Sequence, residues 1–266
     1  MTILKRSASM VSALVMMISS AGAYNCSAEG TTVNDSNTNN TREIVIDGTT
    51  AQLKENMRYR GAGMVSANNS SRLLLDYKAE HPDVYEQIMK YMFGKEGIGI
   101  THLKLEMGAD INSSSGTEPS VMRTEDEKAD VTRGAAYQLA ADAKKINPDL
   151  TLDMLWWSEP KWVSDASDVY AARYKWYKNT LDAAYETYGL EFDYVSAVQN
   201  ERGADLEWVK YLSSHLKSEK DTPYDYSKIK IVGGEEVCTW GFADRMYEDS
   251  ELMNVVDVVG SHYTSE

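Results

Sequence analysis

The chain has 266 residues, 42% hydrophobic and 10% aromatic, with 17 Tyr and 6 Trp, which supports a large core and lies outside the range of disordered chains. Its net charge of -14 repels phosphate backbones, and Lys and Arg are scattered without a basic run, which excludes nucleic acid as a partner. The four His are scattered and no Cys cluster shows metal-ligand spacing, so neither a metal nor another cofactor is expected.

The first 23 residues carry Lys5 and Arg6, the apolar run Val11 to Ile18, and an Ala21-x-Ala23 ending, the pattern of a cleaved signal peptide. The run is too short to cross a hydrocarbon core of about 30 Å as a helix, so no membrane span is expected. A secreted or cell-surface product follows. Residues 24–42 are rich in Asn, Thr and Ser and read as a flexible linker. Residues 43–266 read as one domain. Nothing in the sequence places Cys26 near Cys238, so no structural disulfide is expected.

Beyond the linker, apolar runs alternate with amphipathic segments at a spacing of roughly 30 to 45 residues, the rhythm of successive βα units. Predicted strands are Tyr59 to Ala67, Ile98 to Met107, Leu150 to Trp157, Phe192 to Asn200, Ile229 to Gly233 and Val255 to Tyr263. Between them fall helical patterns: Pro82 to Phe93, with Val84, Ile88, Met89 and Met92 on one face, then Glu127 to Ile146, Asp168 to Tyr188, Asp205 to Leu216 and Ala243 to Met253. Largely apolar strands with long crossovers suit a parallel sheet. After the first strand, Gly61-Ala-Gly63 lacks the third glycine of a nucleotide-binding turn. The expected fold is therefore α/β, a (β/α)8 TIM barrel with about six βα units present and the remainder missing.

Strand ends collect functional residue types: Glu106 to Asp110, Trp156-Trp157-Ser158, Asn200-Glu201, Glu235-Glu236 and His262-Tyr263. In such barrels that rim carries the chemistry. Glycoside hydrolysis needs one carboxyl to protonate the leaving oxygen and a second to attack or activate water. Glu201 suits the first role, and Asn200 can bind a sugar hydroxyl beside it. The alternative is that Asn-Glu-Arg caps the next helix while Glu201 pairs with Arg202. These residues alone leave the two readings balanced. His102, inside an apolar strand, reads as a core histidine, and His262, at a strand end, is a candidate pocket residue. Trp156 and Trp157 point to opposite faces, one to the core and one to the rim.

Several motifs in order resemble the galactosylceramidases, glycoside hydrolase family 59. They are Thr117-Glu-Pro-Ser120, Trp157-Ser-x-Pro160-x-Trp162, Asn200-Glu201-Arg202 and Val256-Asp-Val-Val-Gly-Ser-His262-Tyr263. Gly61-x-Gly63-x-x-Ser66, Ser71-Arg-Leu-Leu74 and Leu103-Lys-Leu-Glu-Met-Gly108 also match, so the resemblance runs from about Tyr59 to Tyr263. It implies a retaining β-galactosidase acting on a β-galactoside or galactolipid. Glu201 would be the general acid/base, while Thr117, Trp157 and Asn200 would bind galactose. The family's nucleophile is a Glu on the seventh strand, so it is expected beyond Glu266, and residues 1–266 alone are expected to be inactive. Glu235 and Glu236 end the fifth strand and could supply a carboxylate, but the family's second carboxylate comes later, and Glu266 arrives too early to be it. A non-catalytic carbohydrate-binding protein, using Trp157 and Trp162 without turnover, is the alternative of another class.

Overall fold

The computed structural model describes residues 60–112 and 116–264; Tyr59, the signal-peptide pattern and the linker lie outside them. Six strands fall on the six predicted runs: β1 (Gly63–Ser66), β2 (His102–Glu106), β3 (Thr151–Leu155), β4 (Tyr194–Ser196), β5 (Lys230–Val237) and β6 (Val258–His262). They form one sheet in the order β1-β2-β3-β4-β5-β6, every pair parallel. A parallel neighbour must be reached by a crossover, and the intervening helices supply it.

The two faces of the sheet differ in chemistry. Leu103, Leu105, Leu152, Met154, Val195 and Ile231 are fully buried and face the helices. On the opposite face Lys104, Asp153, Tyr194 and Lys230 lie side by side in register across β2 to β5. Strands three positions apart in a flat sheet are separated by about 14 Å. Lys104 on β2 nonetheless reaches Glu235 on β5 at 2.5 Å. The sheet is therefore curled with its polar face inward, as six units of a (β/α)8 barrel. This inner face is more polar than the apolar runs suggest.

Helix α1 (Arg72–Glu80) was not foreseen: it buries no residue, so its apolar pattern is weak. Helix α2 (Pro82–Phe93) begins on Pro82, a favoured first position, and buries Tyr85, Met89 and Phe93 at i, i+4 and i+8. The expected face is rotated, leaving Val84 exposed, because the Tyr85 hydroxyl donates to buried Asp142 at 2.8 Å. Helix α3 (Ala136–Ile146) starts nine residues later than Glu127. Before it, Arg133 pairs with Glu127, and the Asp130 carboxylate accepts the Thr132 N–H at 3.0 Å, a local turn that competes with helix.

A short helix, α4 (Lys161–Ser164), follows the loop after β3. Helix α5 (Val169–Tyr188) starts where Asp168 accepts the Ala171 N–H and ends at left-handed Gly189. Asp205 caps α6 (Leu206–Ser218) in the same way. The single helix expected over Ala243 to Met253 is two, α7 (Gly241–Glu248) and α8 (Ser250–Val255), because Asp249 takes an extended conformation and caps the second. Buried Trp176 and Tyr177 of α5 and Trp208 of α6 anchor the helices. Trp156 meets Trp176 edge-on at 6.3 Å, and the Arg173 guanidinium lies 4.9 Å from both the Trp156 and Trp208 rings. Glu159 binds that guanidinium at 2.7 Å, so the segment holding Trp157 is braced on both sides.

Candidate active site

Among the described residues, seven other than glycine have a left-handed φ: Asn68, Asn69, Asp110, Glu201, Glu235, Cys238 and Tyr263. All lie at or just past the C-terminal ends of strands, on one rim. Each such residue costs on the order of 1 kcal/mol or more, and such strain gathers at functional sites. It gathers here on the rim where barrel enzymes do their chemistry.

Glu201 is half-buried beyond β4, at φ +64°. Its N–H donates to the Glu235 carbonyl at 3.0 Å, and the Tyr263 hydroxyl donates to its Oε1 at 2.6 Å. The helix-cap alternative fails, because Asp205 caps α6 by accepting the Trp208 N–H at 3.2 Å. What remains is a carboxyl group fixed at backbone and side chain, as a positioned proton donor or acceptor must be.

Asn200 is 2% exposed, and its N–H donates to the Trp156 carbonyl at 2.9 Å. Gln199 Nε2 donates to the Trp157 carbonyl at 2.6 Å, so the ends of β3 and β4 are tied together and Trp157 sits beside the Asn-Glu pair. Trp157 is half-buried, while Trp156 points into the helical layer. Thr117 lies on the segment after β2, where its hydroxyl donates to Asn112 Oδ1 at 3.1 Å. No contact among the described residues joins the Thr117 side chain to Glu201. His262, at the end of β6, has Nε2 3.6 Å from Glu235 Oε2.

Below this rim runs a buried chain of charge. Lys104 Nζ lies 2.5 Å from Glu235, 3.6 Å from Asp153 and 3.2 Å from the Ser196 hydroxyl. Burial alone would lower the Lys104 pKa, but Asp153 and Glu235 lift it above its ordinary value. Burial pushes the Glu235 carboxyl up; His262 and Lys104 outweigh it and bring its pKa to about 2. His102 Nδ1 meets the Thr151 hydroxyl at 3.0 Å and its Nε2 lies 3.4 Å from Asp153, so this histidine lines the inner face and is about a third exposed.

A second carboxyl pair, Glu106 at the end of β2 and Glu118 on the segment after it, has no cation partner among the described residues. Glu106 accepts the Asn68 N–H at 2.7 Å, and Glu118 accepts the Asn69 N–H at 2.5 Å. Burial raises the Glu106 pKa to about 7 against the Asn68 bond. Burial likewise raises Glu118 to about 8, with the Glu106 charge adding to the rise. The Tyr137 hydroxyl is buried without a hydrogen-bond partner among the described residues. Asp153 lies outside the quoted motifs, and Lys104, Glu118 and Tyr263 lie inside them without a role that the motif assigns. The one available signal is a charged residue at an inward position of an apolar strand, as Lys104 is in β2. The expectation of no structural disulfide involves Cys26, which lies outside the described residues.

The model of the family described as glycosyl hydrolase family 59 matches residues 59–266. The chain is 33% identical over 213 residues to a human galactocerebrosidase, covering 77% of this chain and 29% of that protein. A zebrafish (Danio rerio) galactocerebrosidase is 29% identical over 211 residues, with 76% and 29% covered. The chain thus spans about 29% of the length of the curated relatives it matches. Among solved structures, SrfJ from Salmonella typhimurium aligns with a TM-score of 0.59 at 16% identity, covering 76% of this chain and 50% of that one. An endo-β1,6-glucanase aligns at 0.57 and 17%, covering 77% and 52%. These two carry the fold alone.

Proposed function

The chain belongs to glycosyl hydrolase family 59, and on that premise we propose that its full-length gene product is a retaining β-galactosidase of the galactosylceramidase type, with Glu201 as general acid/base. The observation that carries this reading is the fixed geometry of Glu201: a strained strand-end carboxyl held by the Glu235 carbonyl and the Tyr263 hydroxyl. The substrate is a terminal β-galactoside, a galactolipid such as galactosylceramide among the candidates, since the relatives are named galactocerebrosidases.

In the first step the Glu201 carboxyl gives its proton to the glycosidic oxygen while a carboxylate nucleophile attacks the anomeric carbon. The carbon–oxygen bond breaks and the aglycone leaves with the proton. In the second step Glu201, now a carboxylate, takes a proton from water as its oxygen attacks the galactosyl ester, releasing galactose with its β configuration and regenerating both carboxyls. Asn200 would bind a sugar hydroxyl next to the reacting bond, Thr117 another, and Trp157 would pack on the apolar sugar face. His262 would line the same pocket. The nucleophile should stand roughly 5 to 5.5 Å from Glu201. Glu235 does not suit that role, because Lys104 and His262 already engage its carboxylate. We place the nucleophile in sequence outside residues 1–266.

The signal-peptide pattern of residues 1–23 supports secretion or display at the cell surface. No helix among the described residues is long and apolar enough to cross a membrane.

Replacing Glu201 by Gln in the full-length product tests the reading. Turnover of phenyl β-galactoside should fall by about 10²- to 10⁴-fold, with galactose binding kept. 2,4-Dinitrophenyl β-galactoside, whose leaving group needs little protonation, should suffer less in its first step. An unchanged rate would overturn the assignment, and a wild-type product that binds galactosides without hydrolysing them would favour a carbohydrate-binding role.

A further inference from the structure

Glu235 occupies a place that its ion pairs do not by themselves require. It lies on β5, where the register with β6 shifts between Gly234 and Glu236, a bulge. Its φ is +57°, an unfavourable conformation for glutamate. The neighbouring strand is shaped around it: a Cβ on Gly260 of β6 would come within 2.4 Å of Glu235 Oε1. A side chain larger than hydrogen at 260 would displace the carboxylate. The bulge and its strain converge on one peptide, whose carbonyl accepts the N–H of Glu201, itself left-handed.

We propose that Glu235 is the positioning residue for Glu201, holding it by two routes. The first is the bulged peptide itself, at 3.0 Å between the Glu201 nitrogen and the Glu235 oxygen. The second runs through the side chain: the carboxylate faces His262 at 3.6 Å, and the next residue, Tyr263, donates to Glu201 Oε1 at 2.6 Å. Lys104, reaching from β2 at 2.5 Å, fixes the carboxylate from the far side of the lumen. Opposed to the bulge, Ser261 donates to the Glu236 carbonyl at 3.3 Å and the Thr239 carbonyl at 2.6 Å, so β6 is clamped to the same loop. The sibling carboxylate Glu236 faces away, accepting the Ala204 N–H at 3.1 Å and pairing with Arg245. Two adjacent glutamates thus have different tasks, one beneath the acid/base and one tying the β4–α6 segment to α7.

This inference rests on Glu201 being the acid/base. A misplaced general acid harms a substrate in proportion to how much protonation its leaving group needs, whereas a loss of folded protein harms all substrates alike. Glu235→Gln keeps shape and backbone and removes the charge. In the full-length product kcat/KM, which reports the first step, should fall about tenfold or more for phenyl β-galactoside and by less than about threefold for 2,4-dinitrophenyl β-galactoside. Equal falls on both substrates, or no fall on either, would overturn the proposal. Tyr263→Phe removes one hydroxyl from a site 44% exposed and serves if the first variant does not fold. It should show the same split at smaller amplitude, and its absence would overturn the side-chain route. If Glu201→Gln itself shows no leaving-group dependence, the acid/base reading has failed. A split in Glu201→Gln without one in Glu235→Gln rejects the positioning role alone.

Discussion

Two groups of buried carboxyls stand on the same barrel rim and behave in opposite ways. At the end of β2 and on the segment after it, Glu106 and Glu118 are pushed up to about 7 and about 8. At the end of β5, Glu235 is as deeply buried and is brought down to about 2. Burial acts in the same direction on all three; the difference is a cation. Lys104 and His262 reach Glu235, whereas Glu106 and Glu118 meet backbone N–H groups, and the Glu106 charge adds to the rise at Glu118. At neutral pH one half of the rim therefore holds Glu118 mostly as the neutral acid and Glu106 near the middle of its titration, both bracing the Asn68–Asn69 turn, and the other half holds an anion beneath Glu201. Partner chemistry, not depth, sets the protonation state.

The largest effect should come from removing the cation. Lys104→Met leaves Glu235 and Asp153 buried without their ammonium, and breaking a buried pair in this way costs about 3 to 5 kcal/mol. Thermal unfolding should drop by on the order of 10 °C at neutral pH. A drop of only a degree or two would mean that the chain of charge is wet and weak.

A smaller effect should sharpen the other side of the comparison. The folded pKa values of Glu106 and Glu118 lie above the unfolded carboxylate value, so their contribution is complete below that value and is lost as pH rises through about 7 and about 8. Glu235 is depressed, so its contribution is lost only as pH falls through about 2. Glu118→Gln should consequently change its stability relative to wild type in the variant's favour as pH rises from about 5 to about 8. Parallel melting curves for the two proteins across that range would contradict the uncharged assignment of Glu118.

Much of the fold was legible because it rests on local pattern. All six strands fall on apolar runs, and Asp168 and Asp205 mark the starts of α5 and α6 as capping residues should. Errors arose where tertiary chemistry overrode pattern. Tyr85 rotated the buried face of α2 to reach Asp142, and Asp249 divided one expected helix into two. In the candidate site, Glu201 could be picked out because an apolar strand ends abruptly in a carboxyl. The partners of that carboxyl could not. Tyr263 is 62 residues away in sequence, and Lys104 lies 131 residues from Glu235. Only the curl of the sheet brings them together, and an apolar run conceals which of its residues point inward.

The most direct test of the central claim, that Glu201 is the acid/base of a retaining galactosidase, is to assay full-length Glu201→Ala on 2,4-dinitrophenyl β-galactoside with added azide. A general acid/base removed from a retaining enzyme leaves a galactosyl-enzyme that azide, needing no proton removal, can attack from the β face. The account predicts restored turnover with β-galactosyl azide as product. No acceleration by azide, or α-galactosyl azide as product, would contradict it.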